Sequence, residues 1–176
     1  MKVTLSNYDV ITLDALFNKS ENIINNPDIV KEKISKANII YIGGGDTIKL
    51  INEIKEYKLD ILLNESYDKG TILVGISAGA ILLSKEGFSD SLILRNENNK
   101  HCFIEGISLN DLIICPHYNS SIEKTNELKE QINNRKVYGL ENCTALKIED
   151  DKISIIKSNS EKNVYILSNN QEEKLN

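Results

Sequence analysis

Between residues 75 and 79 the chain reads Gly-Ile-Ser-Ala-Gly, a G-x-S-x-G spacing that follows an apolar run and precedes small and apolar residues. A serine on a sharp strand-to-helix turn is held in a strained backbone conformation. Its hydroxyl projects from the sheet edge, and glycines two residues to either side let neighbouring chain pass close. Free backbone N–H groups where the helix begins can hold a developing oxyanion. The chemistry this spacing offers is attack of the Ser77 hydroxyl on a carbonyl carbon. The plainer reading is a tight connection in which small residues merely permit packing.

A nucleophilic serine needs a base, and the sequence has two histidines. His117 follows an apolar run and Pro116, which places it at the carboxyl end of a strand, on the same sheet edge as Ser77. His101 ends a polar stretch and reads as a solvated loop histidine. The third member of such a site is a carboxylate that fixes the imidazole tautomer. Glu141 fits, just after the run Val-Tyr-Gly-Leu. Asp90, shortly after the serine helix, is the rival, and either can equally be an ordinary surface acid. With Glu141 the chain order is Ser…His…Glu, which excludes the usual α/β-hydrolase arrangement.

A second glycine cluster, Gly43-Gly44-Gly45-Asp46-Thr47, also lies between a strand and a helix. It lacks the G-x-G-x-x-G spacing of a dinucleotide site and the G-K-[ST] ending of a P-loop. Successive N–H groups in such a turn form a concave anion site, so Gly44 or Gly45 together with Ala78 could supply two oxyanion donors. The bland version is a glycine turn with Asp46 or Thr47 as helix N-cap.

These segments need elements to position them. Apolar runs at 2–5, 38–42, 71–76, 112–115 and 136–139 predict strands. Pro27 suits a first helical turn, with Ile29, Val30, Ile34 and Ala37 following at helical spacing. Helices are also predicted from Thr47, over 60–69, from Ser77 to Ser84, and over 122–133. The last part differs: strand-like runs at 145–149, 153–156 and 164–167 are separated by turn residues, as in an antiparallel hairpin or meander. The fold class is α/β: a mostly parallel sheet flanked by helices, with a C-terminal antiparallel extension, residues 38–42 and 112–115 reading as buried strands and 71–76 as a strongly apolar one.

The 176 residues, 40% hydrophobic and 27% charged with a formal net charge of -5, fit one domain over residues 1–167. The polar tail 168–176 reads as disordered. No apolar run reaches membrane-spanning length and the start lacks a secretory layout, so the chain reads as cytoplasmic. Cys102, Cys115 and Cys143 have no C-x-x-C spacing and read as buried small apolar residues rather than disulfide or zinc ligands. No metal or other cofactor is expected. The acidic balance, with only Arg95 and Arg135 as arginines, argues against a nucleic-acid surface and leaves a small or peptide-sized partner.

The trio YIGGGDT, GISAGA and ICPHYN, in this order and in matching elements, resembles the aspartyl dipeptidases (peptidase E) and their cyanophycinase relatives. These are serine peptidases with a fold akin to class I glutamine amidotransferases. The resemblance covers residues 37–146. It implies Ser77 as nucleophile, His117 as base, Glu141 as acid, and Gly44 or Gly45 in the oxyanion hole. It also leaves Asp90 as a relay candidate, with Asp46, Tyr118 and Asn119 as further candidates for substrate binding or relay. Where family chains carry a further strand–helix–strand ahead of the stretch matching residues 2–5, these 176 residues begin at that stretch. A naturally short form, a piece of a longer chain and completion by a partner are all open, and homodimer formation is one way to cover a bare sheet edge. Dipeptidase members carry Asn after the glycines where this chain has Asp46, and no arginine stands in the helix after His117 near residues 124–131. The resemblance therefore implies a serine-type hydrolase of small peptides and leaves its side-chain preference open. The alternatives are a cyanophycinase-like or isoaspartyl hydrolase, and an inactive member that binds a small acidic or peptide ligand.

Overall fold

A computed structural model describes residues 27–150, 152–168 and 171–175. The strand predicted over residues 2–5 lies outside them. Among the described residues the chain divides into two compact units, 27–40 with 53–72, and 41–52 with 73–176.

The first unit contains helices α1 (Pro27–Lys36) and α3 (Leu59–Asp68), which pack on each other. Val30 and Ile34, one turn apart on α1, are buried with Leu59 and Leu63 of α3. Strand β1 (Ile39–Ile42) and strand β2 (Ile72–Gly75) form a two-stranded sheet. The Ile72 amide donates to the Asn38 carbonyl, and four residues on the Ile76 amide donates to the Ile42 carbonyl, so the two strands run parallel. Of the two, β1 was expected to be buried, because an unbroken apolar run suits a strand covered on both faces. Instead both strands alternate: Ile39 and Tyr41, and Ile72 and Val74, are exposed while their neighbours are half-buried. The period-2 geometry sends every second side chain outward whatever its type.

In the second unit, helix α2 (Thr47–Glu56) begins at the glycine turn, and helix α4 (Ala78–Leu83) follows β2. Its six-stranded sheet has strand order β10-β9-β6-β5-β3-β4. At its centre β3 (Glu86–Ser89), β5 (Ile113–Pro116) and β6 (Val137–Leu140) run parallel. Antiparallel strands flank that centre: β4 (Cys102–Glu105) beside β3, and β9 (Val164–Ser168) with β10 (Gln171–Leu175) beyond β6. The protein is thus a mixed α/β fold with a sheet flanked by helices and an antiparallel C-terminal extension. Strands β7 (Thr144–Glu149) and β8 (Lys152–Lys157) form a separate antiparallel hairpin.

Alternation along the central strands serves two layers. On one face Cys115, Val137 and Leu167 meet Leu128 of helix α6 (Ile122–Gln131) and Ile132 just beyond its end, with Phe88 and Tyr118 in the same cluster. On the other face Ile114 and Tyr138 meet Ile81 of α4, and Leu146 and Ile153 of the β7–β8 hairpin pack against them. Burial of these side chains is the main stabilisation of the unit, each large one contributing about 1.5–3 kcal/mol.

Strands β3, β4 and β10 and the short helix α5 (Ser91–Leu94) have no counterpart in the sequence reading. Residues 171–175 were expected to be disordered; they form β10. An edge strand needs only backbone pairing with β9, and the charged sequence Gln-Glu-Glu-Lys is how an edge is kept from pairing with other chains. Lys129 of α6 reaches Glu172 at 2.9 Å.

Candidate active site

The turn after β2 explains both glycines around Ser77. A Cβ on Gly75 would run into the backbone of Gly79 and Ala80, and one on Gly79 into the carbonyls of Ile42 and Gly43. Neither position accepts a side chain without moving main chain, so the serine turn seats directly on the end of β1. Ser77 itself has φ 53° and ψ -114°, a conformation that non-glycine residues adopt only when their surroundings impose it. It occupies the position before α4 and its hydroxyl makes no capping bond to the helix. That hydroxyl lies 2.9 Å from His117 Nε2.

His117 stands one residue beyond β5, again with positive φ (55°). Its backbone is tied on three sides. The Tyr118 amide donates to Leu140 O, the Ser120 amide to His117 O, and Lys124 Nζ donates to Pro116 O at 2.7 Å. Lys124 is 7% exposed, so a buried ammonium clamps the strand end immediately before the histidine. With the main chain fixed, the ring reaches Ser77 through one nitrogen and Asn142 through the other, Nδ1 lying 2.6 Å from Asn142 Oδ1. His117 and Asn142 are exposed and Ser77 is half-buried, so the pair opens to solvent.

Both ring nitrogens are therefore occupied, and neither partner is a carboxylate. Glu141, expected as the third group, has its contacts elsewhere. Glu141 turns away: its Oε2 accepts from the Asn163 amide at 2.8 Å and its Oε1 lies 3.4 Å from Lys162 Nζ. Glu141 and Asn142 lie in the turn between β6 and β7, and of the two it is Asn142 that meets the ring. Asp90 is exposed and begins α5, accepting the Leu94 amide through its backbone carbonyl.

Gly44 lies against the serine: a Cβ on it would sit 3.1 Å from Ser77 Cβ and 3.6 Å from its Oγ. Gly45, with φ 139°, makes the turn into α2. Asp46 caps that helix, its Oδ1 accepting the Ile48 and Lys49 amides at 3.0 and 3.2 Å, while its Oδ2 is 3.5 Å from Arg95. Its carboxylate is thus engaged in structure.

A model described as Peptidase family S51 matches residues 8–156 of this chain. The chain belongs to peptidase family S51. A Bacillus subtilis (strain 168) protein named as an uncharacterized peptidase, YgaJ, is 30% identical over 123 residues, covering 68% of this chain and 51% of that protein. Peptidase E of Nostoc sp. (strain PCC 7120) is 29% identical over 153 residues, covering 80% of this chain and 60% of its own length. The chain thus spans about half the length of the first of these relatives. Among solved structures, a peptidase from an acI-B1 Actinobacterium aligns with TM-score 0.64 and 25% identity, covering 85% of this chain and 61% of that one.

The remaining S51 candidates fall outside the Ser77–His117 contact. Tyr118 is 2% exposed, packed 5.5 Å from the Tyr165 ring, and burial pushes its hydroxyl above the ordinary tyrosine range; it is a core residue. Asn119 is exposed at positive φ (59°), accepting from Thr125 Oγ1 at 3.4 Å. His101 is not a solvated loop residue as expected. Its ring stacks on Phe88 and lies 2.6 Å from Glu127 Oε2, with 14% of its side chain exposed. Of the cysteines, Cys115 is buried, and desolvation pushes its thiol up to about 11. Cys102 is half-buried and Cys143 exposed, against the expectation that all three are interior.

Sequence reasoning also missed three groups. Asn142 stands beside Glu141 just beyond β6, but its side chain is not the carboxylate that such a site leads one to expect. Lys124 reads as a surface charge on a helix. Thr47, Ser89 and Ser91 form a buried hydroxyl cluster: Ser91 Oγ accepts the Thr47 amide at 2.7 Å and Thr47 Oγ1 lies 2.8 Å from Ser89 Oγ. This cluster ties the start of α2, and so the glycine turn, to β3 and α5.

Proposed function

We propose that this S51 chain is a serine-type hydrolase of small peptides, a dipeptidase or exopeptidase resembling aspartyl dipeptidase, acting in the cytoplasm through an acyl-serine intermediate. The observation that carries this reading is the 2.9 Å approach of Ser77 Oγ to His117 Nε2 on a strained turn that frees the hydroxyl from capping its helix. A hydroxyl is a weak nucleophile at neutral pH and becomes effective when an adjacent base takes its proton during attack. Ser77 Oγ attacks the carbonyl carbon while His117 Nε2 accepts the hydroxyl proton. The N–H of Ala78, with that of Gly44 or Gly45, holds the negative charge that develops on the carbonyl oxygen. Gly44 lies beside the Ser77 side chain, which supports this role. His117 then donates its proton to the leaving amine, and water, activated by the same ring, hydrolyses the acyl-serine. A positioned base contributes about 10²–10⁴-fold and each oxyanion donor about 3 kcal/mol.

A panel of α- and β-linked aspartyl dipeptides, read by released amino acid, tests this on wild type beside Ser77→Ala. Cleavage of at least one peptide by wild type and none by the variant is expected. Hydrolysis by Ser77→Ala at the wild-type rate overturns the assignment.

A further inference from the structure

We infer that Asn142 is the positioning residue of the Ser77–His117 pair, so that the third group of this site is a neutral amide and not a carboxylate. The inference rests on the functional reading above and goes beyond it by assigning what orients the base. Its starting point is the 2.6 Å separation of Asn142 Oδ1 from His117 Nδ1. An amide oxygen only accepts, so the ring nitrogen facing it carries the hydrogen. In that tautomer Nε2 presents a lone pair, and it is Nε2 that lies against Ser77 Oγ. The geometry thus places the base in the form that can take the hydroxyl proton. With the opposite tautomer Nε2 would donate to the serine, and the pair would be idle.

The backbone around Asn142 holds it to this task. Cys143, the next residue, has φ 71°, and Thr144 returns the chain by donating both its amide and its hydroxyl to the Glu141 carbonyl. Glu141 anchors the preceding position, its amide bonded to the Asn163 carbonyl and its carboxylate to the Asn163 amide. Glu141 therefore fixes the segment from which Asn142 reaches the ring. The charged groups flanking the histidine are accounted for elsewhere. Glu141 faces Asn163 and Lys162, and Lys124 faces the Pro116 carbonyl. The group in contact with Nδ1 carries no charge. Asn142 can thus fix the ring's orientation and tautomer, as the Asn of Cys-His-Asn peptidases does, without the ionic stabilisation that an aspartate or glutamate gives the protonated ring.

The test uses the whole chain and a dipeptide that wild type cleaves. Asn142→Leu removes the acceptor; kcat should fall about 100-fold with KM nearly unchanged and Tm within about 1 °C, as the residue is exposed. Asn142→Asp keeps the acceptor and adds a charge beside the ring, which favours the protonated imidazole. It should retain activity while the acidic limb of its kcat/KM profile moves to higher pH by about one unit, a displacement that a merely structural residue would not produce. Unchanged kcat in Asn142→Leu, or an unmoved acidic limb in Asn142→Asp, overturns the assignment. Loss of hydrolysis in Ser77→Ala distinguishes that failure from failure of the hydrolase reading, which would leave Ser77→Ala active.

Discussion

The two histidines of this chain sit in opposite circumstances. His101 has what a catalytic imidazole is usually sought by, a carboxylate 2.6 Å from its ring, and it is largely enclosed, stacked on Phe88 at 5.5 Å and 18°. His117 is exposed, meets an amide oxygen through Nδ1, and touches a serine hydroxyl on a strained turn through Nε2. A carboxylate partner is thus a poor guide here. The Glu127 oxygen that meets the His101 ring also accepts the His101 amide at 3.0 Å, which stitches the start of β4 to α6. On the proposed reading, a serine partner and an open approach mark the base, and a nearby acid does not.

The largest effects should fall on the His117 side. His117→Gln is expected to lower peptide hydrolysis by about 10³-fold with little change in Tm, whereas His101→Gln leaves the rate within about threefold. Steady-state rates and thermal melts on both variants check this, and a comparable rate loss in the two would dissolve the contrast. Next comes Gly79→Ala, whose methyl would meet the Ile42 and Gly43 carbonyls; because backbone cannot yield as a side chain does, about 3 kcal/mol of stability should be lost in denaturant melts.

On the His101 side, Glu127→Ala should cost about 2 kcal/mol near neutral pH by stranding the His101 donors, with hydrolysis unchanged. Burial works to raise the Glu127 carboxyl, but the bonds from the His101 amide and ring outweigh it and hold the group below its ordinary range. A carboxyl depressed in the folded state stabilises above its ordinary titration range, and that contribution disappears as pH falls through the folded value. Wild type and Glu127→Ala should therefore converge in stability in acid, which urea melts at several pH values would reveal. The smallest effect is expected for Glu141→Gln. The amide oxygen can still accept from Asn163, and kcat should change less than twofold; a 100-fold loss would return Glu141 to the site.

The contrast also marks what the sequence made legible. Ser77 and His117 were readable because each follows an apolar run, and the ends of strands lie at one edge of such a sheet. The glycine spacing told of a close approach that the carbonyls of Ile42 and Gly43 make concrete. The second contact of the His117 ring was not readable, because residue type pointed to Glu141 while it is Asn142 that meets Nδ1. Strand β3 was missed since Glu-Gly-Phe-Ser is short and carries a glycine; it exists because β4 and β5 pair with it on either side. Lys124 was hidden for a related reason: its helix position says surface, and only tertiary packing brings its ammonium to the Pro116 carbonyl. Tertiary contacts, not local propensity, decided each of these.

The central claim is that Ser77 is a nucleophile made reactive by His117, and covalent modification by a fluorophosphonate tests it most directly. Mass spectrometry of the labelled, digested protein should find the adduct on Ser77, formed at equal rates in wild type and His101→Gln and at least 100-fold more slowly in His117→Gln. Labelling of Ser77 at the wild-type rate in His117→Gln, or an adduct on some other serine, would contradict the account.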